Sequence, residues 1–177
     1  MTENGTWTYF AYGSNLLTAR LQARTPSAQP LATAFLEGYD LRFHKIGDDG
    51  SGKCDAYFTG EDGHRVWGVL YRMALREKPI LDAIEGVGQG YALKPVPVMA
   101  SGEQIQAITY VVEADYIDPD MVPFDWYHGF VVSGAREHRL PEAYVARIAA
   151  VKTRQDAQVA RRHANQAILN RKVPSKS

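Results

Sequence analysis

Cysteine is almost absent: Cys54 stands alone in 177 residues. An internal disulfide is therefore excluded, and a thiolate metal cluster has too few ligands. A charge excess is missing too, since Lys plus Arg and Asp plus Glu number 20 each. Nothing in that balance points to nucleic acid or an anionic membrane as a partner. No apolar run approaches the roughly 20 residues that span a bilayer. Met1 to Gly5 lacks the basic and apolar regions of a secretory signal. The five histidines form no HxxxH pair, so surface or capping roles are expected and no metal site. Ser14 lacks the Gly-x-Ser-x-Gly setting of a serine nucleophile. These absences leave a single cytoplasmic domain spanning residues 1–177, with neither metal nor cofactor.

What is present is a strong opening stretch. Trp7, Tyr9, Phe10, Ala11 and Tyr12 read as a buried strand, broken by Gly13-Ser14-Asn15. Leu16 to Arg24 then reads as a helix, closed by Thr25-Pro26. A strand turning through glycine into a helix leaves free N–H groups that favour a carboxylate or an oxyanion. A tight turn capped by Ser14 or Asn15 fits the same residues.

Further along, alternation marks strands over Leu31–Ile46 (bent at Gly38), Cys54–Thr59, His64–Met73, Tyr91–Met99 and Gln104–Val112. Glu61-Asp62-Gly63 predicts a hairpin between the second and third of these. On His64–Met73, Gly68 lies opposite the Trp67, Val69, Tyr71 and Met73 face, where a backbone or ligand approaches closely. Pro95 and Pro97 confine their strand to an edge or a bulge. Helices are predicted over Arg76–Glu85 with an Ile80, Leu81 and Ile84 stripe, from Pro123 to about Gly134, and from Pro141. After about residue 152 comes a basic helical extension with a thin alanine stripe, then a frayed tail. From Leu140 onward Lys and Arg outnumber Asp and Glu by eight to two. No aromatic interleaving accompanies that charge, which favours a solvated helix over a nucleic-acid surface. Strands mostly first and helices mostly last indicate an α+β fold.

Two constellations bear on chemistry. Gly47 to Lys53 has P-loop spacing, but Cys54 replaces the magnesium-binding hydroxyl and a strand follows where a helix is required. It reads as a loop beside a site. Glu85 ends its helix one turn beyond Leu81, beside the buried stripe and at the negative end of the dipole. Partial desolvation there suits a group that takes up a proton and later returns it. An exposed last-turn glutamate is the other reading of the same residue.

Four blocks then occur in order. They are Tyr9 to Leu17, Val66 to Val69, Glu85 to Val87, and Ser133 to Glu137 with Leu140 to Tyr144. Together they resemble γ-glutamylcyclotransferase, from Thr8 to about Val151. The resemblance implies a small mixed barrel of about six strands with helices packed around it. It also implies that Tyr9, Phe10, Ala11, Tyr12, Gly13, Ser14, Asn15 and Tyr127 bind substrate and that Glu85 is the catalytic acid/base. Relatives place a tyrosine seven residues after the glutamate. Here that position is Ala92 and the tyrosine is Tyr91, which is left out of the expected contacts. The implied substrate is a small γ-glutamyl amide, converted to 5-oxoproline and a free amino acid by its own α-amine. A γ-glutamyl amine or protecting group as substrate, or a non-catalytic binding module, are the alternatives. Glutathione is disfavoured, because its best-known degraders differ after Tyr-Gly-Ser. A monomer or homodimer fits equally.

Overall fold

A computed structural model of the chain describes residues 5–171. The expected frayed tail, Lys172 included, and the extreme N-terminus fall outside the described residues. The fold is α+β: a closed five-stranded barrel and a separate two-stranded sheet, with five α-helices around them.

β5 (Arg65–Ala74) is a largely apolar strand of the barrel. It pairs antiparallel with β1 (Thr6–Ala11) on one side and β2 (Gln29–Glu37) on the other. Gly68 on β5 is a close-approach site, as its position predicted. A Cβ there would lie 2.3 Å from the Ala11 carbonyl oxygen, so what approaches is backbone. The β2 register shifts between Pro30 and Ala32, because a proline has no N–H for the ladder. β6 (Tyr91–Ala100) and β7 (Glu103–Val112) form a complete hairpin. Its two-residue turn has Ser101 and Gly102 at positive φ, matching the twist of the strands. Pro95 and Pro97 lie in register opposite Ile108 and Gln106 of β7, and β2 meets β6 in register only at Phe35 and Met99. The barrel closes where Tyr9 of β1 pairs parallel with Ile108 of β7. The Thr109 hydroxyl donates to the Phe10 carbonyl across that seam, at 2.8 Å.

Two expectations about strands are corrected. The barrel has five strands, not about six. Cys54–Thr59 does not pair with the strand after it. β4 (Gly52–Phe58) pairs with β3 (Tyr39–Ile46) instead. The cause is Gly38, at φ +78°, which turns the chain sharply out of β2. Its N–H and carbonyl bond His64 and Thr59, tying the two crossings together.

The helices are corrected in three places. The opening helix does not follow directly from the glycine. Ser14–Leu16 forms a 3₁₀ turn, Leu17 is extended, and α1 begins only at Thr18 (Thr18–Arg24). In α2 (Lys78–Glu85) the predicted stripe is displaced: Leu81 is buried, while Ile80 and Ile84 are 49% and 45% exposed. The helix lies on its Leu81–Glu85 line, which turns the glutamate inward. In α3 (Asp125–Glu137) Gly134 does not stop the helix. A Cβ there would lie 2.4 Å from the Leu17 nitrogen, so glycine is present to let α3 touch the 3₁₀ turn.

α4 (Glu142–Ala149) and the basic extension, α5 (Val159–Leu169), pack on α3. The extension is anchored by buried Asp156, which accepts from Trp126 Nε1 at 2.9 Å and from Arg161 at 2.6 and 2.7 Å. Arg162 bonds the Asp156 carbonyl and Arg154 the Gly50 carbonyl, so much of the tail's basic charge is used internally. No helix among the described residues is long and apolar enough to cross a membrane.

Two outcomes are expected. In an exposed helix Gly→Ala gains up to about 1 kcal/mol. Gly134→Ala should instead lose about 1–3 kcal/mol through overpacking, read from urea unfolding. The hydrogen bonds from Arg161 hold the Asp156 carboxyl well below the usual carboxylate range. A depressed carboxyl stabilises fully above its unfolded value of about 3.9 and loses that contribution as pH falls through the folded one. Amide protection of α5 should therefore exceed that of Asp156→Asn at neutral pH. The difference should vanish only below about pH 4.

Candidate active site

The barrel end where β1 stops carries a cavity with about 290 Å³ of empty space. Its lining is unusually rich in tyrosine: Tyr9, Tyr12, Tyr91, Tyr110 and Tyr127, joined by Gly13, Ser14, Asn15, Cys54 and Glu85. β1 delivers Tyr9 and, just past its end, Tyr12. The 3₁₀ turn delivers Ser14 and Asn15, α2 delivers Glu85, and α3 delivers Tyr127.

The central contact is Asn15. Its Nδ2 donates to the Tyr9 hydroxyl at 3.1 Å and to Glu85 Oε1 at 2.9 Å. Arg24, at the end of α1, donates to Asn15 Oδ1 at 3.1 Å and to Glu85 Oε1 at 2.8 Å. Both bonds to the carboxylate land on Oε1. Oε2 has no hydrogen-bond partner among the described residues. Among the described residues Glu85 is the only carboxylate lining the cavity, and its side chain is 16% exposed.

The phenols are buried and hold their protons. Burial, before any other cause, pushes the Tyr9, Tyr12, Tyr91, Tyr110 and Tyr127 hydroxyls well above their ordinary value. The Glu85 charge reinforces this at Tyr9. Burial likewise pushes the Cys54 thiol up to about 12, so it is no nucleophile at neutral pH. Tyr110 donates to Asp82 of α2 at 2.7 Å, fixing the helix that carries Glu85. Tyr12 donates to the Tyr110 carbonyl, Tyr91 to the Cys54 carbonyl at 2.6 Å, and Tyr127 accepts from the Cys54 N–H at 3.0 Å. Tyr9 accepts from Asn15, which leaves its own proton unclaimed among the described residues.

Of the residues expected in the site, Tyr9, Tyr12, Gly13, Ser14, Asn15, Glu85 and Tyr127 converge on the cavity. Phe10 and Ala11 do not line it. Both are fully buried: strand alternation turns Phe10 from the face that carries Tyr9 and packs it against Gly68 of β5, whereas Ala11 shares that face but is too short to reach the cavity. Tyr91, left out of the expected contacts, belongs in the lining. Tyr110 and Arg24 were also missed. Tyr110 had a signal in the alternation of β7, whereas Arg24 had none, since only packing brings it to Glu85.

The free amides at the glycine turn are present, with a different origin from the one expected. The N–H groups of Gly13, Ser14 and Asn15 find no protein acceptor among the described residues. They belong to the 3₁₀ turn and not to a helix start. The first N–H of α1, on Thr18, is already taken by Glu137 at 3.2 Å. Gly47 to Lys53 does lie beside the site, on the wall of an outer chamber. Lys53 there bonds Asp49 at 2.7 Å, closing the loop on itself. The histidines are corrected in part: His44 is buried against Asp55 at 2.8 Å, and His138 bonds Thr18 and Tyr71. No group of three or more His, Cys, Asp or Glu among the described residues is arranged to hold a metal ion.

Comparison with known proteins bears on this arrangement. Residues 65–148 match the AIG2-like family. The chain is 34% identical over 155 residues to γ-glutamylcyclotransferase of Mus musculus, covering 84% of this chain and 80% of that one. It is 33% identical over 152 residues to γ-glutamylcyclotransferase of Homo sapiens, covering 81% and 77%. A solved structure of a γ-glutamyl cyclotransferase has a TM-score of 0.81 and 26% identity, covering 92% of this chain and 99% of that one.

The tyrosine lining carries its own expected outcome. Tyr91→Phe leaves the buried Cys54 carbonyl without its donor and should cost about 1–3 kcal/mol. Thermal or urea unfolding reads that loss, with Tyr116→Phe on the partly exposed surface as the reference.

Proposed function

The chain belongs to the γ-glutamylcyclotransferase family, and on that premise we propose that it converts a γ-glutamyl amino acid to 5-oxoproline and the free amino acid. The observation that carries the reading is Glu85, the one carboxylate in the tyrosine-lined cavity, joined to the glycine turn through Asn15.

The substrate's α-amine attacks its own γ-carbonyl carbon. The ring C–N bond forms, the amide C–N bond breaks, and the two protons shed by the α-ammonium nitrogen pass to the leaving nitrogen, which departs as an ammonium. The attacker is already attached to the carbonyl, so holding the folded conformer supplies much of the acceleration. An α-ammonium is not nucleophilic. Glu85 takes its proton on Oε2, the oxygen that neither Asn15 nor Arg24 occupies. Asn15 and Arg24 hold Oε1 and so fix the direction of Oε2. The free amides of Gly13, Ser14 and Asn15 suit the oxyanion on the γ-carbonyl or the substrate's α-carboxylate. Glu85 then returns that proton to the departing nitrogen and relays the second one, lost from the ring nitrogen as the lactam forms, by the same route. The protonated phenols of Tyr9 and Tyr127 serve as neutral donors, and Tyr12, whose proton is held by the Tyr110 carbonyl, serves as a wall. No cofactor is required by this sequence of steps.

We extend the same reading to the setting. A small-molecule substrate is the partner, with neither nucleic acid nor membrane involved. The protein acts in the cytoplasm as a monomer or homodimer.

Glu85→Gln should lower kcat by about 10²–10⁴-fold while leaving 5-oxoproline binding within a few-fold. Product formation from γ-Glu-Ala and titration calorimetry read the two quantities. Turnover near the wild-type rate in that variant would remove Glu85 from the proton-transfer role.

A further inference from the structure

The inner cavity opens past Ser14, Glu85, Tyr91 and Tyr127 into an outer chamber with about 730 Å³ of empty space. Four cations line that chamber: Arg20, Arg24, Lys45 and Lys53. Two of them are accounted for, Arg24 by Glu85 and Lys53 by Asp49. Arg20 and Lys45 have no carboxylate within ion-pair distance among the described residues.

Both are buried, Arg20 at 9% exposure and Lys45 at 6%. Arg20 is aimed by neutral groups. Its Nε donates to Ser14 Oγ at 3.1 Å, Nη1 reaches Asn165 Oδ1 of α5 at 3.3 Å, and the guanidinium stacks on Phe130. Its Nη2 has no acceptor among the described residues. Lys45 donates to the Ile46 carbonyl at 3.0 Å and lies 4.9 Å over the Tyr91 ring. Burial, with the nearby Arg24 charge, lowers the Arg20 guanidinium to about 9, and burial lowers Lys45 as well. Carboxylates act on the two only at longer range: Asp48, Glu85 and Asp49 on Lys45, and Glu85 on Arg20. A buried cation without a counter-charge is costly unless a ligand supplies one.

We propose that Arg20 and Lys45 form a carboxylate subsite for the leaving amino acid, and that they set the enzyme's preference for a charged leaving group. The inference rests on the cyclotransferase reading. With the γ-glutamyl end against Glu85 and the glycine turn, the leaving nitrogen points toward the outer chamber. A carboxylate one carbon beyond that nitrogen enters the region that Arg20 and Lys45 line. A guanidinium with one free edge suits a carboxylate oxygen, and the lysine supplies a second charge. Through Asn165, the basic C-terminal extension then gains a positioning role at the subsite.

The test compares γ-Glu-Ala with γ-Glu-ethylamide, which differs only by the leaving group's carboxylate. The wild type should prefer γ-Glu-Ala by about 10–100-fold in kcat/KM, the range of a charge-assisted contact. Arg20→Gln and Lys45→Met should each reduce that ratio by about 10-fold or more. Lys45→Met is the second variant because Arg20 also supports Ser14 and its replacement can disturb folding. A wild type without preference, or two variants that keep the wild-type ratio, would overturn the subsite. If neither compound yields 5-oxoproline with the wild type, the cyclotransferase reading itself fails, and the subsite with it.

Discussion

The hydrogen bond from Asn15 to Glu85 joins two parts of the chain 70 residues apart, and the site exists only where they meet. One side is the 3₁₀ turn after β1, whose amides are free. The other is the last residue of α2. Each side is fixed from behind. The turn rests against α3, which comes within backbone contact because position 134 is glycine. α2 is held by buried Leu81 and by the Tyr110–Asp82 bond from β7. A carboxylate and a set of donors can therefore stay in register without a ligand to organise them, which is what preorganised catalysis requires.

The tyrosine lining solves a second problem. A small cavity at a barrel end must be dry enough to strengthen polar interactions, yet every buried polar group needs a partner. Phenols provide wide apolar walls and one polar tip each. Here the tips go mostly to backbone carbonyls, a backbone N–H and Asp82, so the walls are rigid. Tyr9 keeps its proton available, and Oε2 of Glu85 stays open. These two open groups in the cavity are ones a substrate would satisfy.

Much of the fold was legible from local pattern. The positions of most strands, the close approach at Gly68 and the surface character of the extension follow from periodicity and residue type. The errors share one cause. The β4–β5 hairpin was expected from a turn sequence, but Gly38 diverts the chain into a second sheet, and partner choice between strands is non-local. Gly134 looked like a helix stop because a helix interior disfavours glycine. Its real reason is a neighbour more than a hundred residues away in sequence. The α2 stripe was assigned by hydropathy, whereas the helix turned its Leu81–Glu85 edge inward because Asp82 is tied to Tyr110. Phe10 and Ala11 were carried into the site with their motif; strand alternation turns Phe10 away, and Ala11 is fully buried outside the lining.

By itself the sequence determined the chemistry on offer: one glycine turn with donors, one glutamate at a helix end, and a resemblance in order that linked them. Residue type and short-range geometry fix those, since both act within a few residues. Only the tertiary structure decided what surrounds them. Arg24 reaches Glu85, Tyr91 and Tyr110 enter the cavity, and Arg20 and Lys45 face the outer chamber without an ion-pair partner among the described residues. Those facts depend on which strands pair and which helices pack. That pairing is a property of the closed barrel and of no shorter segment.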